Sequence, residues 1–283
     1  MSTGCVVDFH THLAPYESIR PSLVEWTYSL VGEELEQRYA QAATPDGAER
    51  ILDENGVDFA VVLADYHPMT TGITSNERVA EYCALHDRLI PFACVNPHLH
   101  QEPAAELGRC VEELDMRGLK LGPTYGHFYP NDKALWPVYE MAQEMGIPVL
   151  VHTGISVFKG SKLKYGDPLL LDEIAVDFPD LIIVQAHSGR GFWYDQAFTL
   201  ARYHANVYME ISGLPPQRLL AYFPQLERLA DKVLFGSDYP GVPSLRGNIE
   251  AIRELPLAEE ARSKILGRNA ARLLGIPRRT CDD

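Results

Sequence analysis

The sequence predicts one (β/α)8 barrel of the TIM-barrel type, and three observations carry that prediction. Eight short apolar stretches alternate with helix-like stretches along 283 residues, an ordinary length for such a barrel. Several of these stretches are apolar on both faces, as parallel strands covered on both sides are. After one long gap their starts recur roughly every 25–35 residues, near the ~30 of a βαβ unit. Third, ligand-type residues stand at the ends of strands one, five, six and eight. An open doubly wound sheet gathers its ligand loops at one switch point, and only closure brings strand one beside strand eight. Residues 1–283 are therefore read as a single domain.

The first strand is Val6-Val7-Asp8-Phe9-His10-Thr11-His12. Side chains at i and i+2 of a strand share a face, so His10 and His12 aim together, roughly 6.6 Å apart along the backbone. Two imidazoles so placed can converge on one ion. Residues 13–43 follow, far longer than the usual connection of about 2–6 residues. They read either as a lid carrying Trp26 over the site or as a surface insertion.

Thr44-Pro45 looks like an N-cap with proline in the first turn, and Gly56 closes that helix. The second strand is Phe59 to Ala64, followed by a helix over Asn76 to His86. The third strand is Ile90 to Val95, stopped by Asn96-Pro97, with a helix near Pro103 to Asp115. The fourth is Gly118 to Leu121, stopped by Gly122-Pro123.

A helix near Ala134 to Met145 precedes the fifth strand, Ile147 to Val151, which ends in His152. A helix near Pro168 to Phe178 precedes the sixth, Leu181 to Ala186, which ends in His187. The helix near Trp193 to His204 leads to strand seven, Asn206 to Ile211. The helix near Pro215 to Ala230 leads to strand eight, Lys232 to Ser237, which ends in Asp238. Leu257 to Leu274 reads as a last amphipathic helix.

His10, His12, His152, His187 and Asp238 thus share the C-terminal rim, where barrel enzymes place their chemistry. Nitrogen and carboxylate donors without sulfur suit Zn²⁺ first, with Fe²⁺ or Mn²⁺ as alternatives. Asp238 could instead cap the turn before Pro240. Beside a metal-activated water it can take a proton and return it to a leaving group. His187 can reach the metal, the attacking water or a substrate oxygen. Arg190 suits a substrate carboxylate or a rim salt bridge. Lys120 ends strand four as a cationic substrate contact, a carboxylated ligand to a second metal, or half of an ion pair. Tyr239 and Trp26 complete the candidate substrate contacts. His67 is the reserve pocket residue among the remaining loop histidines.

Composition narrows the partners. A net charge of −14 argues against nucleic acid, which needs clustered Lys and Arg. No apolar run approaches the ~20 residues that span a bilayer. The N-terminus enters the first strand at once, so no signal peptide is expected. Five scattered cysteines without a CxxC pair read as reduced thiols in a cytoplasmic protein. Phosphate-binding glycine loops and serine nucleophile elbows are absent, and no organic cofactor is expected. The expected partners are a small-molecule substrate and, at most, a second copy in a homodimer.

The pieces VVDFHTH, GLKLGPTYGHFYPND, GIPVLVHTG, FPDLIIVQAHSGRG, NVYMEISG, VLFGSDYPG and ILGRNAARLLGI cover most of the chain. In that order the sequence resembles the amidohydrolase superfamily. The similar branch also holds the aminocarboxymuconate-semialdehyde and resorcylate-type decarboxylases. The resemblance implies a barrel with a divalent metal. Its ligands would be His10, His12, His152 and Asp238, with Asp238 also the acid/base and His187 a catalytic or supporting residue. Branch members either hydrolyse amide and ester bonds or remove CO2. His152 followed by Thr153-Gly154-Ile155 looks more like the hydrolase-type members. A hydrolase of an amide, ester or lactone is the reading preferred here, and a non-oxidative decarboxylase of a small aromatic or unsaturated acid is the alternative.

Overall fold

The computed structural model describes residues 4–277. Eight parallel strands form the ring: β1 (Val7–Thr11), β2 (Phe59–Leu63), β3 (Leu89–Cys94), β4 (Leu119–Leu121), β5 (Val149–Gly154), β6 (Ile183–Arg190), β7 (Val207–Glu210) and β8 (Val233–Leu234). Each pairs with the next in sequence order. The ring closes between the segment after β8 and β1. Phe9 N–H donates to Phe235 O at 2.9 Å, Asp238 N–H to His10 O at 2.8 Å, and His12 N–H to Tyr239 O at 2.8 Å. The barrel expected from the sequence is therefore the observed architecture.

The interior follows from strand alternation. Val7, Phe9, Val61, Phe92, Leu150, Val184 and Leu234 come from six strands and pack into one buried cluster. Phe9 and Phe92 meet edge to face at 5.6 Å. Ala270, Ala271 and Leu274 of the last helix join this cluster from the end away from the site. The helical turn just before it, Lys264–Arg268, comes close because Gly267 lacks a side chain. A Cβ there would stand 2.0 Å from Cys5 O. A larger apolar layer fills the space between the strands and the surrounding helices.

Several elements differ from the sequence expectation, each for a local reason. β8 covers only Val233–Leu234 because the backbone then turns to other partners. Phe235 N–H donates to Ile265 O, and Ser237 N–H to the Asp8 carboxylate at 2.8 Å. The single helix expected over Pro215 to Ala230 is three short turns. Pro224 has no N–H and disfavours helical geometry at Phe223 before it. The helix Pro45–Asn55 forms as its caps predict, with Thr44 accepting from Gly47 N–H and Gly56 left-handed at its end. Cys83, Cys94 and Cys110 are free thiols. Cys5 is in a disulfide, which corrects its reading as a reduced thiol; Cys281 lies outside the described residues.

Residues 13–43 are ordered. Ser18–Ile19 pairs antiparallel with Gly72–Thr74, which pairs in turn with Asp65–His67. The helices Pro21–Val31 and Glu34–Ala42 follow. This segment brings Tyr16, Trp26 and Tyr39 to the wall of a cleft over the C-terminal rim. No helix among the described residues is long and apolar enough to cross a membrane.

Candidate active site

β1 enters the site with an irregularity. Between Asp8 and Thr11 it takes three steps while β2 takes two, from Ala60 to Val62. Asp8 supports this step, accepting from His10 N–H at 3.2 Å as well as from Ser237 N–H. Burial, working against those hydrogen bonds, pushes the Asp8 carboxyl up to about 7.

His10 is buried and held from behind. Its Nδ1 lies 3.0 Å from Oε2 of Glu210 and 3.1 Å from Ser212 Oγ. An Nδ1–H donated to the carboxylate leaves the Nε2 lone pair facing the cleft. There Nε2 meets Lys120 Nζ at 3.3 Å and Asp238 Oδ1 at 3.5 Å. Burial first, and then the Lys120 ammonium, hold the His10 pKa well below its ordinary value. His12 Nε2 stands 3.5 Å from the same Asp238 oxygen. The two histidines and Asp238 therefore converge.

His152 ends the straight part of β5, fully buried. Neither of its ring nitrogens has a hydrogen-bond partner. A buried polar group left unpaired costs about 1–3 kcal/mol, which is a reason to look for a ligand there. Its ring packs 4.5 Å from Tyr125 and 4.8 Å from His187, centroid to centroid. His187 is oriented by Ser212, whose carbonyl O and Oγ lie 3.0 and 2.9 Å from its Nδ1.

His187, Ser188 and Asp238 all have positive φ, at 62°, 44° and 68°. Non-glycine residues in this region cost of order 1–3 kcal/mol each and cluster at functional sites. Burial alone would raise the Asp238 carboxyl. His10, the hydrogen bond from His12, and His187 outweigh it and hold the group well below the usual carboxylate range.

These residues fit a divalent ion. His10, His12 and Asp238 offer atoms within 4.8 Å of one another; His152, with two unpartnered nitrogens, falls outside that compact trio and meets the site through its ring contact with His187 at 4.8 Å. A second trio, His10, His187 and Glu210, is equally compact. Its carboxylate, however, already accepts from Ser212 Oγ at 2.8 Å and His187 N–H at 3.3 Å, besides His10. Glu210 thus reads as support for the ligands. Burial pushes its carboxyl up to about 7 against the Ser212 hydrogen bonds.

The remaining candidates separate. Lys120 is buried at the base of the cleft, and burial lowers its pKa to about 8 against the pull of Asp238. Trp26 lines the cleft and meets Phe158 edge to face at 5.6 Å. Arg190 is not among the residues lining the cleft, its Nη2 donating to Ile155 O at 3.2 Å, yet its guanidinium lies near enough to His187 and His152 to help lower their pKa values. Tyr239 is not brought there either. Its ring lies under the Arg38 guanidinium at 5.6 Å, while Pro240 and Gly241 beside it line the cleft.

Sequence reasoning missed Glu210, Ser212 and the pair Asp65 and Tyr16. The signal for Glu210 was present: it is a lone acid in the otherwise apolar stretch Val207-Tyr208-Met209-Glu210-Ile211. A charged residue in a strand covered on both faces needs a partner.

Comparison with known proteins fits this geometry. The profile of the family described as amidohydrolase matches residues 7–276. The chain belongs to the amidohydrolase family. One curated relative is a 2-amino-3-carboxymuconate-6-semialdehyde decarboxylase from Dictyostelium discoideum. It is 24% identical over 227 residues, spanning 66% of this chain and 60% of that protein. An uncharacterized TIM-barrel protein from Bordetella bronchiseptica superposes with a TM-score of 0.81 at 25% identity, over 95% of this chain and 98% of that one. A dihydroxybenzoic acid decarboxylase from Polaromonas, solved with bound manganese and 2-nitroresorcinol, superposes at 0.71 with 19% identity. That match covers 97% of this chain and 98% of the other, a likeness of fold.

Proposed function

We propose that this amidohydrolase-family enzyme is a metal-dependent, non-oxidative decarboxylase of a small aromatic or unsaturated carboxylic acid. The observation that carries the reading is the cleft itself. A buried ammonium, Lys120, stands at its base beside Asp238, and the walls are aromatic: Tyr16, Trp26, Tyr125 and Phe158. Such a site suits a flat acid whose carboxylate meets Lys120. The decarboxylase activities named for the Dictyostelium relative and the Polaromonas neighbour support the same reaction class.

The sequence feature that favoured a hydrolase has a structural use instead. Thr153 Oγ donates to Ala186 O at 2.8 Å and accepts from Gly189 N–H at 2.9 Å. Gly154 has a φ of 93°, and a Cβ there would meet Arg190 N at 2.4 Å. His152-Thr153-Gly154 therefore ties β5 to β6 and does not discriminate between the two reactions.

In this reading Lys120 receives the substrate carboxylate, and the aromatic walls hold the unsaturated carbon skeleton. A divalent metal held by His10, His12, His152 and Asp238 would supply Lewis-acid polarisation of a substrate oxygen. The all-nitrogen-and-oxygen donor set suits Mn²⁺ as well as Zn²⁺. Asp238 takes up a proton from solvent and relays it to the carbon that bears the carboxylate. The C–C bond to that group then breaks, its electron pair stays with the carbon skeleton, and CO2 leaves. The sum is R–COO⁻ + H⁺ → R–H + CO2, with no redox partner. The aromatic walls would limit competing water at the carbon.

Turnover in D2O tests this. The product should carry one deuterium at the carbon that lost the carboxylate. If label from H2¹⁸O instead enters a product acid or alcohol, the enzyme is a hydrolase and this reading falls.

A further inference from the structure

The segment that follows Asp238 is held from outside the barrel by one arginine of the long connection after β1. Arg38 lies in the helix Glu34–Ala42 and is not among the residues lining the cleft. Its side chain is 14% exposed. Nη1 donates to Pro240 O and Val242 O, and Nη2 donates to Pro243 O at 2.9 Å. Nη2 also meets Glu34 Oε2, one helical turn back, at 2.9 Å. The guanidinium stands over the Tyr239 ring. Tyr239, Pro240, Val242 and Pro243 are thus all held by one side chain.

The stretch needs such a partner. Pro240 and Pro243 have no N–H, and Pro240 and Val242 are buried, so their carbonyls require donors from elsewhere. A planar fork of N–H donors suits several carbonyls at once, where an ammonium is a compact point charge. At its other end the stretch is tied to the ligand set. Asp238 has a φ of 68°, a conformation that persists only where its surroundings impose it. Asp238 N–H donates to His10 O, and Gly241 N–H closes a turn onto Asp238 O at 2.9 Å. Tyr239 N–H donates to Ser237 Oγ at 3.0 Å, and Tyr239 O accepts from His12 N–H. A slide of residues 239–243 therefore moves Asp238 relative to His10 and His12.

We infer that Arg38 is a positioning residue for the reaction: its guanidinium pins residues 239–243 and so fixes Asp238 at the angle from which it delivers the proton. The connection over residues 13–43 is then a brace for Asp238 as well as a wall of the cleft. The kinetic consequence rests on the proposed role of Asp238; the brace stands on the hydrogen bonds alone.

Hydrogen–deuterium exchange of the Mn²⁺-loaded full-length protein tests the brace without any substrate. Arg38→Met keeps the stem and removes the donors. The amides of Asp238, Tyr239 and Gly241 should exchange about tenfold or more faster in it, while β3, β4 and β5 keep their parental rates. Unchanged rates at these amides, or rates raised throughout the chain, overturn the brace. Turnover of a small aromatic acid, followed as CO2 release, tests the consequence. In Arg38→Met kcat should fall about tenfold or more at retained metal content, with KM moved by less than about threefold. A parental kcat, or a loss confined to KM, overturns the positioning role. Arg38→Lys keeps the charge but not the fork and should show both changes at a smaller size; it decides the matter if Arg38→Met does not fold. If no acid releases CO2, the proposed function falls and the kinetic role with it, while the exchange rates still decide the brace.

Discussion

Glu210 holds His10 from two strands away round the barrel, its Oε2 3.0 Å from the Nδ1 of a residue 200 positions earlier in the chain. The contact sets which nitrogen of His10 faces Asp238 and steadies the ring. Glu210→Gln keeps the shape and removes the charge. Loss of such an outer partner typically costs about 10–100-fold in metal affinity. Competition against a chelator of known affinity should show a drop of that size for Glu210→Gln, with the fold retained by circular dichroism. An unchanged metal affinity would mean that Glu210 is structural only.

The same contact explains Gly236. A Cβ there would stand 2.2 Å from Glu210 Oε1 and 2.9 Å from His10 Cβ. Neither neighbour is a free flexible tip: both are buried and hydrogen-bonded. Gly236→Ala should therefore cost about 1–3 kcal/mol of stability, the usual range for overpacking a core, and lower metal content. Thermal melting and elemental analysis of one preparation measure both. A variant as stable and as fully metallated as the parent would show that the network yields easily.

Asp238 should matter more to turnover than to metal retention. His10, His12 and His152 supply imidazoles enough for a three-histidine site. Asp238→Asn keeps an oxygen but removes the group that carries the proton. General acid–base catalysis is worth about 10²–10⁴ in rate, so kcat should fall by roughly 10² or more while most of the metal remains. Near-parental turnover in a fully metallated Asp238→Asn enzyme would move the proton to another residue.

Asp65 contributes a pH dependence of the opposite sign to that of a buried, raised acid. Its folded pKa lies below the ordinary 3.8 because His67 outweighs the effect of burial. Near that pH the unfolded chain binds more protons than the folded one, so stability rises with pH. The contribution is complete above about 3.8 and is lost as the pH falls through the lower folded value. Urea denaturation of chelated protein should find Asp65→Asn less stable than the parent by roughly 1 kcal/mol at pH 6. The gap should close below pH ~3.8. A gap that does not change with pH would mean that Asp65 contributes shape and not charge.

Much of this was legible in the chain. The βα alternation and the rim positions of His10, His12, His152, His187 and Asp238 follow from residue order and strand periodicity, which are local signals. What was not legible depends on contacts between distant segments. β8 shortens because Asp8 and Ile265 capture its backbone donors. Arg190 stays outside the cleft lining, its guanidinium donating to Ile155 O. The meaning of Thr153 depended on Ala186 and Gly189, from the next strand. Asp65 meets Tyr16 only because the segment after β1 pairs beside it.

One measurement bears most directly on the central claim, metal-dependent loss of CO2. Small aromatic and unsaturated acids labelled with ¹³C in the carboxyl group are incubated with the protein loaded with Mn²⁺ or Zn²⁺, after chelation, and after metal is restored. The account predicts ¹³CO2 from at least one acid, lost on chelation and regained with the metal. Release of ¹³CO2 that is indifferent to chelation would contradict the metal's role. No ¹³CO2 from any acid, together with metal-dependent cleavage of an ester, amide or lactone, would contradict the reaction itself.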